Sequence, residues 1–320
     1  MSTLNPETGA NPVIRVADVA FPRFQAPDLG RMQAFLEAFG MQRAALEGGA
    51  LYMRGTDGAH HVHVTHEGDV AFRGLAFRAR SRADLDVLAA ATGAKVEPTG
   101  EHGGGDVVHL RDPDGRVVDV VFGIAELPPL PVREHPPLNT GADKPRIVTL
   151  QRVGMGPAQV KRFGHAALKT TSFPGTADWY CRTLGMLTSD DFWVEGPEQP
   201  MGRFLRCDLG QTPTDHHTLL VIDSPESKLG HCAWEVADMD DLMAGRDFLL
   251  QNDNGGRPYW GVGRHVLGGQ IFDFWTDPFG FTVEHWTDSD LLNSDTPAGS
   301  HHILMALNQW GPMPPPYLDF

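Results

Sequence analysis

The sequence contains an internal duplication, which constrains the fold more than any other feature. Three short anchors occur in the same order in both halves of the 320-residue chain. They are Phe39-Gly40-Met41 and Leu184-Gly185-Met186, Asp84-Leu85 and Asp241-Leu242, and Asp112-Pro113-Asp114-Gly115 and Asp277-Pro278-Phe279-Gly280. An acidic residue follows seven positions after the first aspartate of the last pair, Asp119 in one half and Glu284 in the other. The two halves are therefore expected to share one architecture.

Hydrophobic periodicity predicts the elements inside each half. An apolar strand at 14–24 precedes a helix that Asp28 caps and Gly40 ends, and short strands follow. The same order returns from residues 70, 163 and 230, and the last unit closes with a strand, turn and strand at 271–287. Each unit has the pattern of a strand, a helix and then two or three strands, so the predicted fold class is α+β.

Proline content divides the chain. The passage LPPLPVREHPPLNTGADKP cannot hold regular structure and is typical of an interdomain linker. The predicted segments are a flexible N-terminus at 1–13, an N-terminal domain at 14–124, a linker at 125–160, a C-terminal domain at 161–290 and a tail at 291–320. No pattern in the tail predicts order, and its His301-His302 pair is expected to be incidental.

Composition excludes several classes of function. The formal net charge of -15 argues against nucleic acid and anionic membrane surfaces as partners. No apolar run approaches membrane-spanning length, and the N-terminus lacks a signal-peptide pattern. Three cysteines form no paired framework, which indicates the reducing cytoplasm. Cys232, beside His231, is expected to pack in the core.

Equivalent positions of the two halves differ in their chemistry. The second half has two histidines and a carboxylate, which are His165, His231 and Glu284. The approximately equivalent positions of the first half are Ala20, Gly74 and Asp119. Two imidazoles and one carboxylate from separate strands can bind one face of a metal and leave the other positions open. Ligand type alone permits Fe(II), Zn(II) or Mn(II).

Five motifs carry a resemblance to a known family. They are GHAAL (164–168), DHHTLLVI (215–222), LGHCAWEV (229–236), GRHVLGGQIFDFW (263–275) and DPFGFTVEHW (277–286). Over about residues 14–290 the chain resembles the two-domain type I extradiol ring-cleavage dioxygenases of the vicinal oxygen chelate superfamily. The resemblance implies four βαβββ units paired into two half-barrel domains, with a vestigial N-terminal domain and a catalytic C-terminal one.

The resemblance also implies the site. His165, His231 and Glu284 would bind Fe(II), with Mn(II) as an alternative, and dioxygen would cleave a small aromatic diol of the catechol type. His217 would act as acid and base, which suits a group with a pKa near working pH, and His265 would orient the substrate. We also expect a cytoplasmic homo-oligomer.

The positions of these two histidines follow from local patterns. In a strand, His216 and His217 point to opposite faces, so His217 is expected to reach the metal and His216 to be solvated. His265 lies in the glycine-rich segment GVGRHVLGG, whose glycines are interpreted as turns that place it over the substrate. This segment lacks the lysine and the strand-to-helix context of a phosphate-binding loop.

One position departs from the family pattern. Phe274 stands ten residues before Glu284, where the family usually has a tyrosine that hydrogen-bonds the bound catecholate. Losing one hydrogen bond to a charged group costs about 1.5–3 kcal/mol. Tyr259 is a candidate substitute, and both residues are expected to contact substrate.

Two other functions remain open on the sequence. A metal-dependent isomerase or lyase of the same superfamily would need no dioxygen position. A small-molecule sequestration protein of the bleomycin-resistance kind would bind no metal, and the two histidines and the glutamate argue against it.

Overall fold

The computed structural model describes residues 11–133, 135–152 and 154–315. These residues contain four α-helices and two large β-sheets. The predicted flexible N-terminus lies largely outside the described residues, as does the end of the tail at 316–320.

The first half consists of two βαβββ units. In chain order they are β1 (Asp18–Ala26), α1 (Leu29–Ala38), β2 (Gln42–Glu47), β3 (Ala50–Arg54) and β4 (His63–Glu67), then β5 (Ala71–Arg78), α2 (Arg82–Thr92), β6 (Val96–Pro98), β7 (Asp106–Arg111) and β8 (Val117–Phe122). Their strands form one sheet in the order β2-β3-β4-β1-β5-β8-β7-β6.

The second half repeats this arrangement. Its elements are β9 (Arg162–Thr170), α3 (Gly175–Leu184), β10 (Met186–Trp193), β11 (Pro200–Cys207), β12 (Thr214–Asp215) and β13 (Leu219–Asp223), then β14 (Lys228–Glu235), α4 (Met239–Gln251), β15 (Arg257–His265), β16 (Ile271–Thr276) and β17 (Thr282–Thr287). The C-terminal segment adds β18 (Leu291–Leu292), β19 (Gly299–His302), a short 3-10 helix (Ile303–Ala306) and β20 (Asn308–Trp310). The large sheet has the order β19-β10-β11-β13-β9-β14-β17-β16-β15-β20.

In each half the first strands of the two units are antiparallel neighbours at the centre of the sheet. β1 pairs with β5, and β9 pairs with β14. Each central strand also pairs in parallel with the last strand of its own unit, as β14 does with β17. The predicted βαβββ organisation is therefore confirmed.

Capping residues set the limits of the helices. The Asp28 side chain accepts a hydrogen bond from the backbone of Arg31 at the start of α1. Ser81 and Asp84 form a reciprocal capping box at the start of α2. Gly185 ends α3 in the left-handed conformation, with φ of 70°, as the sequence predicts.

The two halves share a hydrophobic core. The indole nitrogen of Trp234 donates to the carbonyl of Val62, 3.0 Å away. His285 lies 2.7 Å from the carbonyl oxygen of Phe39, and the two rings stack at 3.7 Å. Because side chains alternate along β17, His285 faces the first half while Glu284 faces the opposite side of the sheet.

Strand pairing orders two segments that look irregular in the sequence. The tail is ordered from 299 to 310 because β19 pairs with β10 and β20 pairs with β15. The glycine-rich segment continues β15 up to His265, so the prediction that its glycines form turns is wrong for Gly261 and Gly263. β15 pairs with the next strand, β16, and with distant β20. Local periodicity does not predict the pairing of distant strands.

No helix in the described part of the chain combines the length and apolar character needed to cross a membrane.

Gly74 occupies the first-half position that His231 occupies in the second. Its φ of 147° is unfavourable for residues with a side chain, and an added Cβ would overlap the carbonyl oxygen of Val117. The neighbouring strand therefore excludes any side chain from this position.

We expect Gly74→Ala to lower the free energy of unfolding by about 3 kcal/mol, through strain and overlap with backbone. Gly93→Ala is the matched control, because Gly93 also has positive φ but an added Cβ there meets nothing within 4 Å. It should lose about 1 kcal/mol. Urea unfolding measures both, and equal losses would contradict the steric argument.

Candidate metal centre

Three adjacent strands bring the predicted ligands to one face of the second sheet. His165 on β9 lies opposite Ala233 on β14, and Ala233 lies opposite Glu284 on β17. His231 is two residues before Ala233 and therefore points to the same face. The register thus makes the three side chains converge although they are far apart in sequence.

Their polar atoms form a nearly equilateral triangle. The Nε2 atoms of His165 and His231 are 3.3 Å apart, and they lie 3.3 and 3.2 Å from Oε2 of Glu284. Ligand atoms about 2.1 Å from a metal and about 90° apart lie about 3.0 Å from one another. Across the described ranges these residues form the single group with ligand atoms close enough for one ion.

The electrostatics of the triangle favour a cation. Burial raises the pKa of Glu284 to about 7, although nearby His231 opposes the rise. Burial lowers the pKa of His165 and of His231 to about 3, so both imidazoles are neutral and can donate lone pairs. Neither oxygen of Glu284 accepts a hydrogen bond from any residue that the structure describes. A buried carboxylate in this state requires a positive partner, and the donor set fits a divalent metal.

The first half satisfies its equivalent carboxylate differently. Arg23 donates to Asp119 over 2.7 Å, and Nδ1 of His109 lies 2.6 Å from the same carboxylate. A guanidinium therefore supplies the positive charge there.

Strand register also corrects one predicted equivalence. Phe21 lies opposite Ala76, which lies opposite Asp119, so Phe21 and not Ala20 corresponds to His165. Both halves carry the same β-bulge, at Ala20 and at Gly164, so the bulge does not cause the difference. The difference arises because the connection from the first strand to the first helix is longer in the second half.

A cavity of about 320 Å³ opens beside the triangle. Four histidines line it: His165, His217, His231 and His265. Its walls also include Tyr259, Trp260, Phe274, Phe204, Leu220, Ile222 and Leu267. A volume of this size and an apolar lining with a few polar groups suit a small aromatic molecule.

His217 contacts the centre, and His216 lies behind it. The rings of His217 and His165 are 4.3 Å apart. Burial lowers the pKa of His217 well below its usual value, and neighbouring histidines add to the effect. The prediction that His216 is solvated is wrong, because it is buried and its Nε2 lies 2.6 Å from Asp190. His216 and His217 follow β12 and precede β13, so strand alternation does not apply to them.

His265 is the last residue of β15 and lines the cavity. Its ring stacks on Phe272 at 4.2 Å, and burial lowers its pKa to about 3. Gly268 and Gly269 follow this histidine outside the strand, with φ of 82° and 66°. A strand end packed on an aromatic ring therefore positions His265.

Phe274 lies directly opposite Glu284 on β16. Its ring meets that of His231 edge-on at 5.0 Å and offers no hydrogen-bonding atom. Tyr259 lines the same cavity from β15. Both predicted substrate contacts thus border the cavity.

The sequence interpretation missed Asp190 and misjudged His301. Both carboxylate oxygens of Asp190 are used, one by His216 and one by Nε2 of His301 at 2.9 Å. The pair His301-His302 is therefore not incidental. The His-His dipeptides at 60–61, 216–217 and 301–302 are the sequence signal that could have indicated this region.

No family model matches the chain. Metapyrocatechase 2 of Cupriavidus necator is 28% identical over 315 residues, which cover 96% of this chain and 93% of that protein.

Two solved structures have similar folds. The Mn(II)-bound glyoxalase of Novosphingobium aromaticivorans has a TM-score of 0.75 at 24% identity and covers 96% of this chain and 94% of its own. Homoprotocatechuate 2,3-dioxygenase of Brevibacterium fuscum, in complex with 3,4-dihydroxyphenylacetate, has a TM-score of 0.77 at 18% identity, covering 97% and 93%. These similarities confirm the predicted fold class.

Two substitutions should have opposite effects on the metal-free protein. Glu284→Gln removes a buried charge that accepts no hydrogen bond within the described part of the chain, so we expect stability at pH 8 to rise by about 1–3 kcal/mol. Asp119→Asn weakens the charge-assisted hydrogen bonds from Arg23 and His109, although Arg23 keeps Glu101 as a partner, and should lower stability by about 1.5–3 kcal/mol. Urea unfolding with chelator present measures both. A loss of stability in Glu284→Gln would show that the fold itself needs this carboxylate.

Proposed function

We propose that this chain, a type I extradiol dioxygenase of the vicinal oxygen chelate superfamily, holds Fe(II) at His165, His231 and Glu284. It uses dioxygen to cleave a catecholic ring next to its hydroxyl pair. The observation that carries the proposal is the triangle of two neutral imidazoles and a buried carboxylate that accepts no hydrogen bond from any described residue. The similarity to metapyrocatechase 2 supports the reaction class.

The metal would contribute Lewis acidity toward both catechol oxygens and open positions for dioxygen. Glu284 offsets part of the metal's charge, and the two neutral histidines complete the protein's share of the ligand set. Mn(II) is the alternative ion, since the same ligands suit it. A Mn(II)-bound glyoxalase shares the fold.

His217 is the proposed acid and base. It lines the cavity next to His165, and its Nδ1 is already engaged 3.1 Å from His216. Nε2 is therefore the atom available to take a proton from a catechol hydroxyl and return it later. A positioned group of this kind contributes about 10²–10⁴ in rate.

The cavity limits the size of the substrate. Its volume of about 320 Å³ accommodates one aromatic ring with a small substituent. His265 would contact the ring from the end of β15, and the apolar walls would exclude water. Because Phe274 has no hydroxyl, we assign Tyr259 as the candidate donor to a substrate oxygen.

The duplicated halves would then divide their roles. We assign 14–124 as a scaffold without a metal, 125–160 as the linker and 161–290 as the catalytic domain. A cytoplasmic location belongs to the same proposal, supported by three cysteines that are free and buried.

His231→Ala should abolish metal binding and ring cleavage together, because two remaining ligands cannot hold the ion. We expect the bound metal per chain and the turnover of catechols each to fall at least about 100-fold. His66→Ala, in the first half, is the control and should change neither. Elemental analysis measures the bound metal and oxygen uptake measures the turnover. A His231→Ala variant with full metal content and full turnover would contradict the assignment of His231 as a ligand.

The requirement for dioxygen separates ring cleavage from isomerase or lyase chemistry on the same fold. The wild-type protein loaded with Fe(II) should consume one molecule of oxygen for each molecule of product that it forms. Without oxygen it should convert no catechol. Anaerobic turnover at the aerobic rate would favour the isomerase or lyase.

Phe274→Tyr should restore a hydroxyl beside the bound catecholate. A hydrogen bond to a charged oxygen contributes about 1.5 kcal/mol, so we expect kcat/KM for catechol to rise about 10-fold. Phe272→Tyr, on the same strand and face, is the matched control and should give no such gain. Unchanged or lower kcat/KM in Phe274→Tyr, with metal content intact, would contradict a missing hydrogen bond at this position.

A further inference from the structure

A chain of hydrogen-bonded side chains runs away from the metal centre behind His217. Nδ1 of His217 lies 3.1 Å from Nδ1 of His216, and Nε2 of His216 lies 2.6 Å from Asp190. His216 and His217 are buried. The chain therefore connects the cavity to a carboxylate on β10.

The partners determine the ring tautomers. A carboxylate only accepts, so Nε2 of His216 must carry the proton that it donates to Asp190. In the tautomer of His216 that carries its single proton on Nε2, Nδ1 is an acceptor, and Nδ1 of His217 donates to it. This leaves Nε2 of His217 without a proton, which is the form that a base requires.

A second contact holds Asp190 in place. Its other oxygen lies 2.9 Å from Nε2 of His301, and β19, which carries His301, pairs in parallel with β10. Both oxygens are therefore fixed, and the carboxylate keeps its orientation toward His216.

The first half provides an internal comparison. His60 and His61 show the same contact, with Nδ1 atoms 3.0 Å apart, and His61 packs on Phe21 at 4.3 Å as His217 packs on His165. Register places Ala45 at the position of Asp190.

Nε2 of His60 instead lies 2.9 Å from a histidine, His102. The His-His pair is thus common to both halves, whereas the carboxylate at its end occurs in the half that carries the ligands.

We propose that Asp190 is a positioning residue that acts through His216 to fix His217 with its unprotonated Nε2 toward the cavity. This inference rests on the proposed function, in which His217 takes a proton from the catechol. In that step the hydroxyl O–H bond breaks and an N–H bond forms at Nε2, while Nδ1 keeps its own proton toward His216. Asp190 contacts neither substrate nor metal.

The direct test reads the tautomer in full-length protein loaded with diamagnetic Zn(II). Histidine is labelled with ¹⁵N, and the signals of His217 are assigned by comparison with His217→Gln. In the wild type, Nδ1 should be protonated and Nε2 unprotonated. Asp190→Ala should convert this signal pair into a mixture of tautomers. Asp190→Asn retains an acceptor oxygen and should restore the wild-type pattern.

The kinetic test uses the Fe(II) enzyme. Asp190→Ala should lower kcat about 10- to 100-fold, with KM and metal content unchanged, and Asp190→Asn should recover most of the loss. His60→Gln, the first-half counterpart of a change at His216, should alter neither kcat nor the His217 signals.

Two results would overturn the inference. One is a His217 tautomer in Asp190→Ala that matches the wild type; the other is an equal loss of kcat in His60→Gln. A failure of the proposed function can be told apart from a failure of this inference. If the function is wrong, the wild-type protein does not cleave catechols, but the NMR signals of His217 still report its tautomer.

Discussion

The structure depends on one constraint, the burial of the Glu284 carboxylate against two neutral imidazoles. Without a cation, the second half encloses a charge that the described residues do not compensate. Strand pairing nevertheless holds His165, His231 and Glu284 within 3.3 Å of one another at their polar atoms. The fold therefore maintains an arrangement that is unfavourable alone and favourable around a metal, as is common for preorganised sites.

The duplication gives this constraint a comparison within the same molecule. The first half has the same strands, the same bulge and the same His-His pair, yet its carboxylate is neutralised by Arg23. Phe21 and Gly74 occupy the positions that His165 and His231 occupy in the other half. The equivalent buried carboxylates of two similar backbones are thus neutralised in two ways. A guanidinium supplies the positive charge in the first half, and we propose that a divalent metal supplies it in the second.

Much of the fold and site could be predicted because the signals are local. Helix caps such as Asp28 and repeated turns such as Asp277–Gly280 depend on neighbouring residues, and the repeat itself aligns the ligand positions. The remainder depends on long-range pairing. A longer connection between the first strand and the first helix of the second half shifted one equivalence by a residue. The order of the tail comes from pairing with β10 and β15, which lie far from it in the sequence. The role of Asp190 also depends on long-range contacts, because no local sequence pattern distinguishes it from an exposed strand aspartate.

Anomalous diffraction from crystals grown anaerobically with Fe(II) would test the central claim most directly. The account predicts one strong iron peak, located between Nε2 of His165, Nε2 of His231 and the carboxylate of Glu284, and none beside Asp119. An absent peak in the second half, or an ion bound through other side chains, would contradict it.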